Sequence, residues 1–471
     1  MSKKVLVLLP DGVSLRNFAY TSFYKKGLEK GHEILFWNHT PFDLEKLGFS
    51  QVVFKKEKPH WLTDILKTAC IRIELDLFTK RDTDNVYQSY KFPLSKSSLK
   101  AKFKTALVKW FCYKYGSEAG LLAIRKRMIA QERKTAYYRS CKEMLQKEKP
   151  DILFCASQRS LIAISPLTAA QDLNIPTASY IFSWDNVPKA TTVVTSDHYF
   201  AWSDHMKKEL LHYQRYIEPK QIIVTGTPQF EPHFQKEILL RKEAFYKEHN
   251  LDITKKYICF SGDDITTSPK DELYLRDVAS AIRALNKKGH HLGLIFRRCP
   301  VDFSTRYDAF IEEFKDVIVL LPPLWDKIGD GWNTILPTRE DIHLQVNLIA
   351  HTEFVINLAS SMVFDYVTAG KPCAYMNYNY LNEKEAVAPG VYLYDFVHFR
   401  SMPSPEAVIW LDHPDSIADA LENMLQGVPD TVAAAQDWFA IINEQPAIEA
   451  PDRIWAGIEK LMNTSSTFIQ N

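Results

Sequence analysis

The chain lacks every cysteine pattern that would organise a metal or redox centre. Its seven cysteines, at positions 70, 112, 141, 155, 259, 299 and 373, are scattered singly, with no C-x-x-C pair and no Cys/His cluster, which leaves thiols that are reduced and mostly buried. No run approaches the ~18 apolar residues of a spanning helix, and the apolar part of "MSKKVLVLLPDG" is too short for a signal peptide. The expectation is a cytoplasmic protein. Net charge is also missing, at 58 Lys and Arg against 57 Asp and Glu, so nothing draws the chain as a whole to nucleic acid. The 14 histidines form no H-E-x-x-H or H-x-H pattern. G-x-S-x-G, Walker A and G-x-G-x-x-G motifs are absent, which removes support for hydrolase, NTPase and Rossmann dehydrogenase readings. There is no repeat and no low-complexity segment.

What the chain has is length and rhythm. Its 471 residues, 46 % hydrophobic and 24 % charged, exceed the usual size of one core and predict two domains. Short apolar runs alternate with longer amphipathic segments. Strands are predicted over 5–9, 33–38, 151–156, 178–182, 198–202 and 221–226, then over 257–262, 292–297, 317–321, 354–358 and 372–377. Helices are predicted over 18–30, 271–287 and 341–352. Such alternation means parallel sheets with crossover helices. The charged stretch 231–256 reads as a linker between a domain over 1–230 and another over 257–471. Ligands of open α/β sheets sit beyond the carboxyl ends of strands, so loops after strands are where chemistry is sought.

"FVINLASSMVFDYVTAGKPCAYMN" (354–377) is the most informative stretch. A strand over 354–358 followed by a helix over 362–369 places Ser360 and Ser361 at a helix N-terminus, which suits an anion. Asp365 lies one turn further on the same face, where its carboxylate can take hydrogen bonds from a ribose diol. Together they describe a nucleotide diphosphate. The plain alternative is a capped helix with a dipole-stabilising acid.

Here the chain resembles the second domain of GT-B glycosyltransferases, in which a carboxylate five residues before a Gly-x-Pro contacts the donor ribose; Asp365, Gly370 and Pro372 match. "SSMVFDYVTAGKPCAYMNYNYLNEKEAVAPGVYLYDF" resembles more closely the CDP-glycerol glycerophosphotransferases and related surface-polysaccharide transferases. The resemblance covers about Pro150 to Phe396. It implies an α/β GT-B fold, two doubly wound Rossmann-like domains facing each other across a cleft, with the donor in the C-terminal one. "FRRCPVD" keeps Arg297 and Pro300 of a related Arg-x-His-Pro but has Cys299 for the histidine; Arg297 is then a diphosphate ligand, or pairs with an acid. "SGDDITTSP" follows the first strand of the second domain, so Gly262, Thr266 and Thr267 are further donor candidates. In "FSWDNVPKA", Asp185 and Asn186 replace the His-Gly of a Trp-His-Gly-Thr-like motif that ends in lysine, here Lys189. A carboxylate at 185 suits a base that deprotonates a sugar acceptor hydroxyl, or else opens an Asx-turn. Asp11, Arg16 and Asn17, after the first strand, complete the acceptor-side candidates. "DTD" (82–84) follows no apolar strand and reads as a loop. Trp325 and Trp332 are candidate stacking platforms.

The implied function is transfer of a sugar from a nucleotide-sugar donor to a glycan or lipid-linked acceptor in bacterial surface-polysaccharide synthesis, with no bound metal and no cofactor. A polyol-phosphate transferase, weakened by the missing histidines, a non-hydrolysing nucleotide-sugar epimerase and an inactive GT-B domain remain open. Charge is uneven along the chain. Residues 95–149 hold 15 Lys and Arg against 4 Asp and Glu, whereas 401–471 hold 2 against 11. Within 102–114, Lys102, Lys104, Lys109 and Lys114 alternate with Phe103, Trp110, Phe111 and Tyr113. This basic insertion either lies on the anionic inner face of the cytoplasmic membrane or turns its rings inward and pairs its lysines with the acidic C-terminal region.

Overall fold

The computed structural model describes residues 2–54, 58–329, 334–381 and 386–468. The chain forms two compact units, one of Met1–Gln229, Lys327–Leu336 and Ile442–Asn471, the other of Phe230–Asp326 and Pro337–Ile441.

The first unit is built on seven strands: β1 (Lys4–Leu9), β2 (Glu33–Asn38), β3 (Gln51–Val53), β4 (Ile152–Cys155), β5 (Thr177–Tyr180), β6 (His198–Ala201) and β7 (Ile222–Val224). All pair in parallel, in the order β3-β2-β1-β4-β5-β6-β7. Val5 of β1 sits between Ile34 and Ile152, and Val5 to Leu8 are fully buried. Central strands of a parallel sheet are covered on both faces, which is why they read as unbroken apolar runs. After β1 the expected single helix is two, α1 (Val13–Phe18) and α2 (Ser22–Glu29), because the Thr21 hydroxyl accepts the Phe23 N–H at 3.4 Å and starts a new helix.

Between β3 and β4 lie α3 (Trp61–Asp82) and then α4 (Leu99–Tyr115), α5 (Glu118–Glu132) and α6 (Ala136–Glu148), the last three making up most of the basic insertion. Buried charges fix them. Arg125 of α5 pairs with Glu74 of α3 and donates to the Thr192 carbonyl at 2.7 Å. Glu132, fully buried, accepts the Ser165 hydroxyl at 2.7 Å and the His60 N–H at 2.9 Å.

The C-terminal helix, Ala450–Phe468, belongs to this unit rather than to the second, where the sequence reading put it. The reason is Trp455. Its ring stacks on Phe23 at 4.9 Å and its Nε1–H donates to the Phe23 carbonyl at 2.7 Å. A Cβ at Gly27 would stand 2.0 Å from Trp455 Cζ2, so only glycine allows this approach. Two of the C-terminal acids, Asp452 and Glu459, pair here with Lys26 and Lys30, and among the described residues no ion pair joins a C-terminal acid to the basic insertion.

The second unit repeats the plan with β8 (Lys256–Ser261), β9 (Leu292–Arg297), β10 (Ile318–Leu320), β11 (Val355–Asn357), β12 (Cys373–Met376) and β13 (Ile409–Leu411), parallel in the order β10-β9-β8-β11-β12-β13. Its principal helices are α7 (Asp271–Lys287), α8 (Arg339–His351) and α9 (Met362–Thr368). The stretch 231–256 is no free linker. Phe245 and Tyr246 are buried, and Asn347 of α8 ties the stretch down by accepting the Leu240 N–H at 2.7 Å and donating to the Ile238 carbonyl at 2.9 Å.

Candidate functional site

In the second unit the strand order reverses between β8 and β11, so the loops after these two strands border the crevice where doubly wound sheets hold ligands. The loop after β11 is held open. The Ala359 N–H donates to the Tyr394 hydroxyl at 3.3 Å, the Ser360 N–H to Asn357 Oδ1 at 3.0 Å, and the Tyr375 hydroxyl to the Ser360 carbonyl at 2.8 Å. These bonds keep Ala359 in the left-handed region at φ +57°, a strained conformation for a residue with a Cβ. Ser361 then stands at the N-cap of α9, yet its hydroxyl makes no capping bond. Capping is left to Ser360, whose Oγ accepts the Met362 N–H at 3.4 Å.

Asp365 is 8 % exposed. Its Oδ1 meets His233 Nε2 at 2.8 Å and accepts from Gln345 Nε2 at 3.3 Å, while Oδ2 has no hydrogen-bond partner among the described residues. One oxygen fixes the carboxylate and the other stays available. Asp365, Ser360 and Ser361 are the residues expected from the sequence, whereas His233 and Gln345, which contact Asp365, were not among them. His233 lies in the stretch taken as boundary and linker, and a lone histidine there carries no spacing signal. Lys371 of the Gly-Lys-Pro is not a ligand group. Its ammonium donates to the carbonyls of Ile349 and Ala350 at 2.8 and 2.7 Å and caps the end of α8, and burial lowers its pKa to about 8.

The loop after β8 corrects an expectation. Asp264 accepts the Thr266 N–H at 2.7 Å, the Thr267 N–H at 3.3 Å and both threonine hydroxyls. The Asp263 N–H goes to Asp271 Oδ2 at 3.1 Å and the Gly262 N–H to the Arg297 carbonyl at 2.9 Å. The loop satisfies its own donors with its own carboxylates and presents no cradle for phosphate. Gly262 is closely packed, since a Cβ there would lie 3.0 Å from Phe296 Cε2 and 3.2 Å from Asp271 Oδ2. Burial pushes the pKa of Asp271 up to about 6; burial and the neighbouring Asp271 push Asp263 to about 8. Burial likewise raises the Cys299 thiol to about 12, which makes it inert.

Arg297 pairs with an acid, the alternative that the sequence left open. It is 5 % exposed, and its Nη2 donates to both oxygens of buried Asp341 at 2.9 and 3.0 Å. Asp341 also accepts the Leu324 N–H at 2.9 Å and the indole N–H of Trp325 at 2.7 Å. Arg297 Nη2 and the Trp325 indole N–H therefore serve a buried polar knot, while Arg297 Nη1 is buried with no hydrogen-bond partner among the described residues. Trp332 lies outside the described residues.

In the first unit the candidates gather on loops after β1, β4 and β5. Asp185 pairs with Lys189 and accepts from Asn186 Nδ2 at 2.9 Å. Fully buried Gln158 donates to Asn186 Oδ1 at 3.2 Å and accepts the Phe182 N–H at 2.9 Å. Arg159, which the sequence reading overlooked, lies 3.9 Å above the Phe182 ring and 4.0 Å from Asp11. Asp11 itself accepts both donors of Ser14 at 3.1 Å and so starts α1. Arg16 donates to Gln229 at 3.4 Å. Asn17 is 3 % exposed and packs within α1. The Asp185 carboxylate already holds a cation, so accepting a proton requires Lys189 to move aside.

Among the described residues no group of His, Cys, Asp and Glu could hold a metal ion, and no helix is long and apolar enough to cross a membrane. Asp82 and Asp84 serve the end of α3 and the turn after it: Asp82 contacts His212 at 2.9 Å and Asp84 accepts the Val86 N–H at 2.9 Å.

The two parallel sheets, each with this strand order, define an α/β protein of GT-B fold with two Rossmann-like domains. No protein-family model and no curated protein matches the chain. Solved structures do. MnaA of S. aureus, solved with UDP, superposes with a TM-score of 0.52 at 12 % identity over 98 % of this chain and 97 % of its own. A Listeria monocytogenes protein assigned as a UDP-N-acetylglucosamine 2-epimerase gives 0.54 at 11 % over 100 % and 98 %. A further UDP-N-acetylglucosamine 2-epimerase gives 0.51 at 13 % over 97 % and 95 %. At these identities the likeness is one of fold.

Proposed function

We propose that the chain is a nucleotide-sugar-dependent glycosyltransferase of surface-polysaccharide assembly that binds its donor in the second unit. One observation carries this reading: at the switch point of the second sheet, a strained loop presents an uncapped Ser361 hydroxyl close in sequence to a buried, half-committed carboxylate, Asp365. A serine hydroxyl and helix N–H groups suit a phosphate, and Asp365 Oδ2 suits a ribose hydroxyl. The proposed contacts leave out Thr266 and Thr267, whose N–H and hydroxyl donors are held by Asp264, and Arg297, whose Nη2 is held by Asp341. Ion-paired Asp185 with Lys189 is the first-unit group best suited to meet an acceptor hydroxyl. Cys299 and Asp185, in place of two histidines, weigh against polyol-phosphate transfer.

The second reading, a nucleotide-sugar epimerase, is favoured by the solved structures of similar fold that carry that name. The two separate on one requirement: an epimerase converts its substrate with no acceptor, whereas a transferase needs one. Purified protein is incubated with UDP-N-acetylglucosamine alone and the sugar is examined by NMR, after a thermal-shift screen over UDP, GDP, CDP and dTDP. Stabilisation by a nucleotide with an unchanged sugar supports transfer. Epimerised sugar establishes the second reading, and no shift with any nucleotide removes both.

A further inference from the structure

Helix α4 is apolar on two opposite faces. Thr105, Val108 and Phe111 are buried, and Val108 and Phe111 join the core cluster that contains Ile65, Leu66, Ile124 and Met128. On the other side, Leu99, Phe103, Ala106, Trp110 and Tyr113 follow one another at steps of four and three residues, so they fall on one stripe roughly 80° wide, directed away from the core. The stripe is open: Leu99 is 84 % exposed, Phe103 60 %, Trp110 47 % and Tyr113 91 %. By the same helical spacing Lys102 and Lys109 border it on one side and Lys100 and Lys114 on the other.

The helix holds no acidic residue. Of its five lysines, Lys104 has a carboxylate within reach, Asp64 at 3.6 Å, and Lys100, Lys102, Lys109 and Lys114 have none among the described residues. The Lys114 ammonium lies 5.0 Å from the Trp110 ring centre. The alternative drawn from the sequence is therefore realised only in part: Phe111 and Tyr115 turn inward, while Phe103, Trp110 and Tyr113 face out and the lysines do not meet the C-terminal acids.

An exposed aromatic stripe between two rows of unpaired cations needs a surface that is apolar below and negative above. A second copy of this face would set lysine against lysine. We propose that this face of α4 docks on an anionic lipid bilayer. Leu99 and Phe103 enter the acyl boundary, the amphipathic rings of Trp110 and Tyr113 sit at headgroup depth, and the flanking lysines meet lipid phosphates. The inference is independent of which nucleotide-sugar reaction the protein performs.

The test is sedimentation of the full chain with vesicles of phosphatidylcholine alone or mixed with phosphatidylglycerol. Binding is expected to the mixed vesicles only, and to be reversed by salt. Each lysine near the surface contributes a factor of about five in partitioning. The combined Lys100→Gln, Lys102→Gln, Lys109→Gln and Lys114→Gln variant therefore loses binding by about a hundredfold or more. The Phe103→Ser, Trp110→Ser and Tyr113→Ser variant changes only exposed residues, keeps its melting temperature and loses binding even at low salt. Equal binding to both vesicle types, parent-like binding by either variant, or a concentration-dependent dimer that the serine variant abolishes overturns the proposal.

Discussion

Replacing Arg297 with methionine separates a structural arginine from a ligand-binding one. The guanidinium and Asp341 are both nearly solvent-free, at 6 % and 5 % side-chain exposure, and lie 2.9 Å apart. Removing the cation leaves a buried carboxylate without its counter-charge, which costs about 3–5 kcal/mol in buried pairs. Asp341 keeps the Leu324 N–H and the Trp325 indole N–H, so the lower end, about 3 kcal/mol, applies here. That is over a hundredfold in the folding equilibrium. The assay is urea unfolding followed by the summed fluorescence of the ten tryptophans. Arg297→Met combined with Asp341→Leu removes the stranded charge, and the cycle should recover part of the loss. The same variants are titrated with nucleotide, and Arg297→Met is expected to bind as the parent does once folded. A variant with unchanged unfolding midpoint and sharply weaker nucleotide binding would refute the argument and return Arg297 to the ligand.

At the proposed donor site, Ser361→Ala and Asp365→Asn should each weaken nucleotide binding by about tenfold, the loss of one charge-assisted or well-placed hydrogen bond, as read by calorimetric titration; parent-like affinity in both would make the stretch a structural helix start. Gly27→Ala places a methyl 2.0 Å from the Trp455 ring and is expected to cost about 1–3 kcal/mol by overpacking, measured as a lowered denaturation midpoint. Asp271 is fully buried and burial raises its pKa from 3.8 to about 6. Between those values the native state holds a proton that the unfolded chain has released, so stability is greatest below pH ~4 for this group and is lost as pH rises through 6, by about 3 kcal/mol. Asp271→Asn should flatten that slope in urea midpoints taken across the range.

The sheets were legible because their strands are buried on both faces and write themselves as apolar runs; β1, β8 and β11 could scarcely be read otherwise. The two strands of the large parallel sheets that were not expected, β3 and β13, are three-residue edge strands, half-buried for the most part, and an edge needs no continuous apolar run. Ser361 and Asp365 were legible for a different reason, since both lie on one loop and helix and local spacing sets their relation. The partners of Arg297 and Thr266 were not legible, because a loop position says where a side chain starts but not what it meets. The partners that claim them, Asp341 from a helix 44 residues later and Asp264 from the same turn, are chosen by packing. His233 shows the converse: 132 residues separate it from Asp365, and no local pattern links a histidine in a charged stretch to a carboxylate on a later helix. The same distinction explains α4. Its charge was evident in the sequence, but its apolar residues divide between two faces, so only the burial of Val108 and Phe111 reveals that Phe103, Trp110 and Tyr113 form a second stripe that the described residues leave exposed.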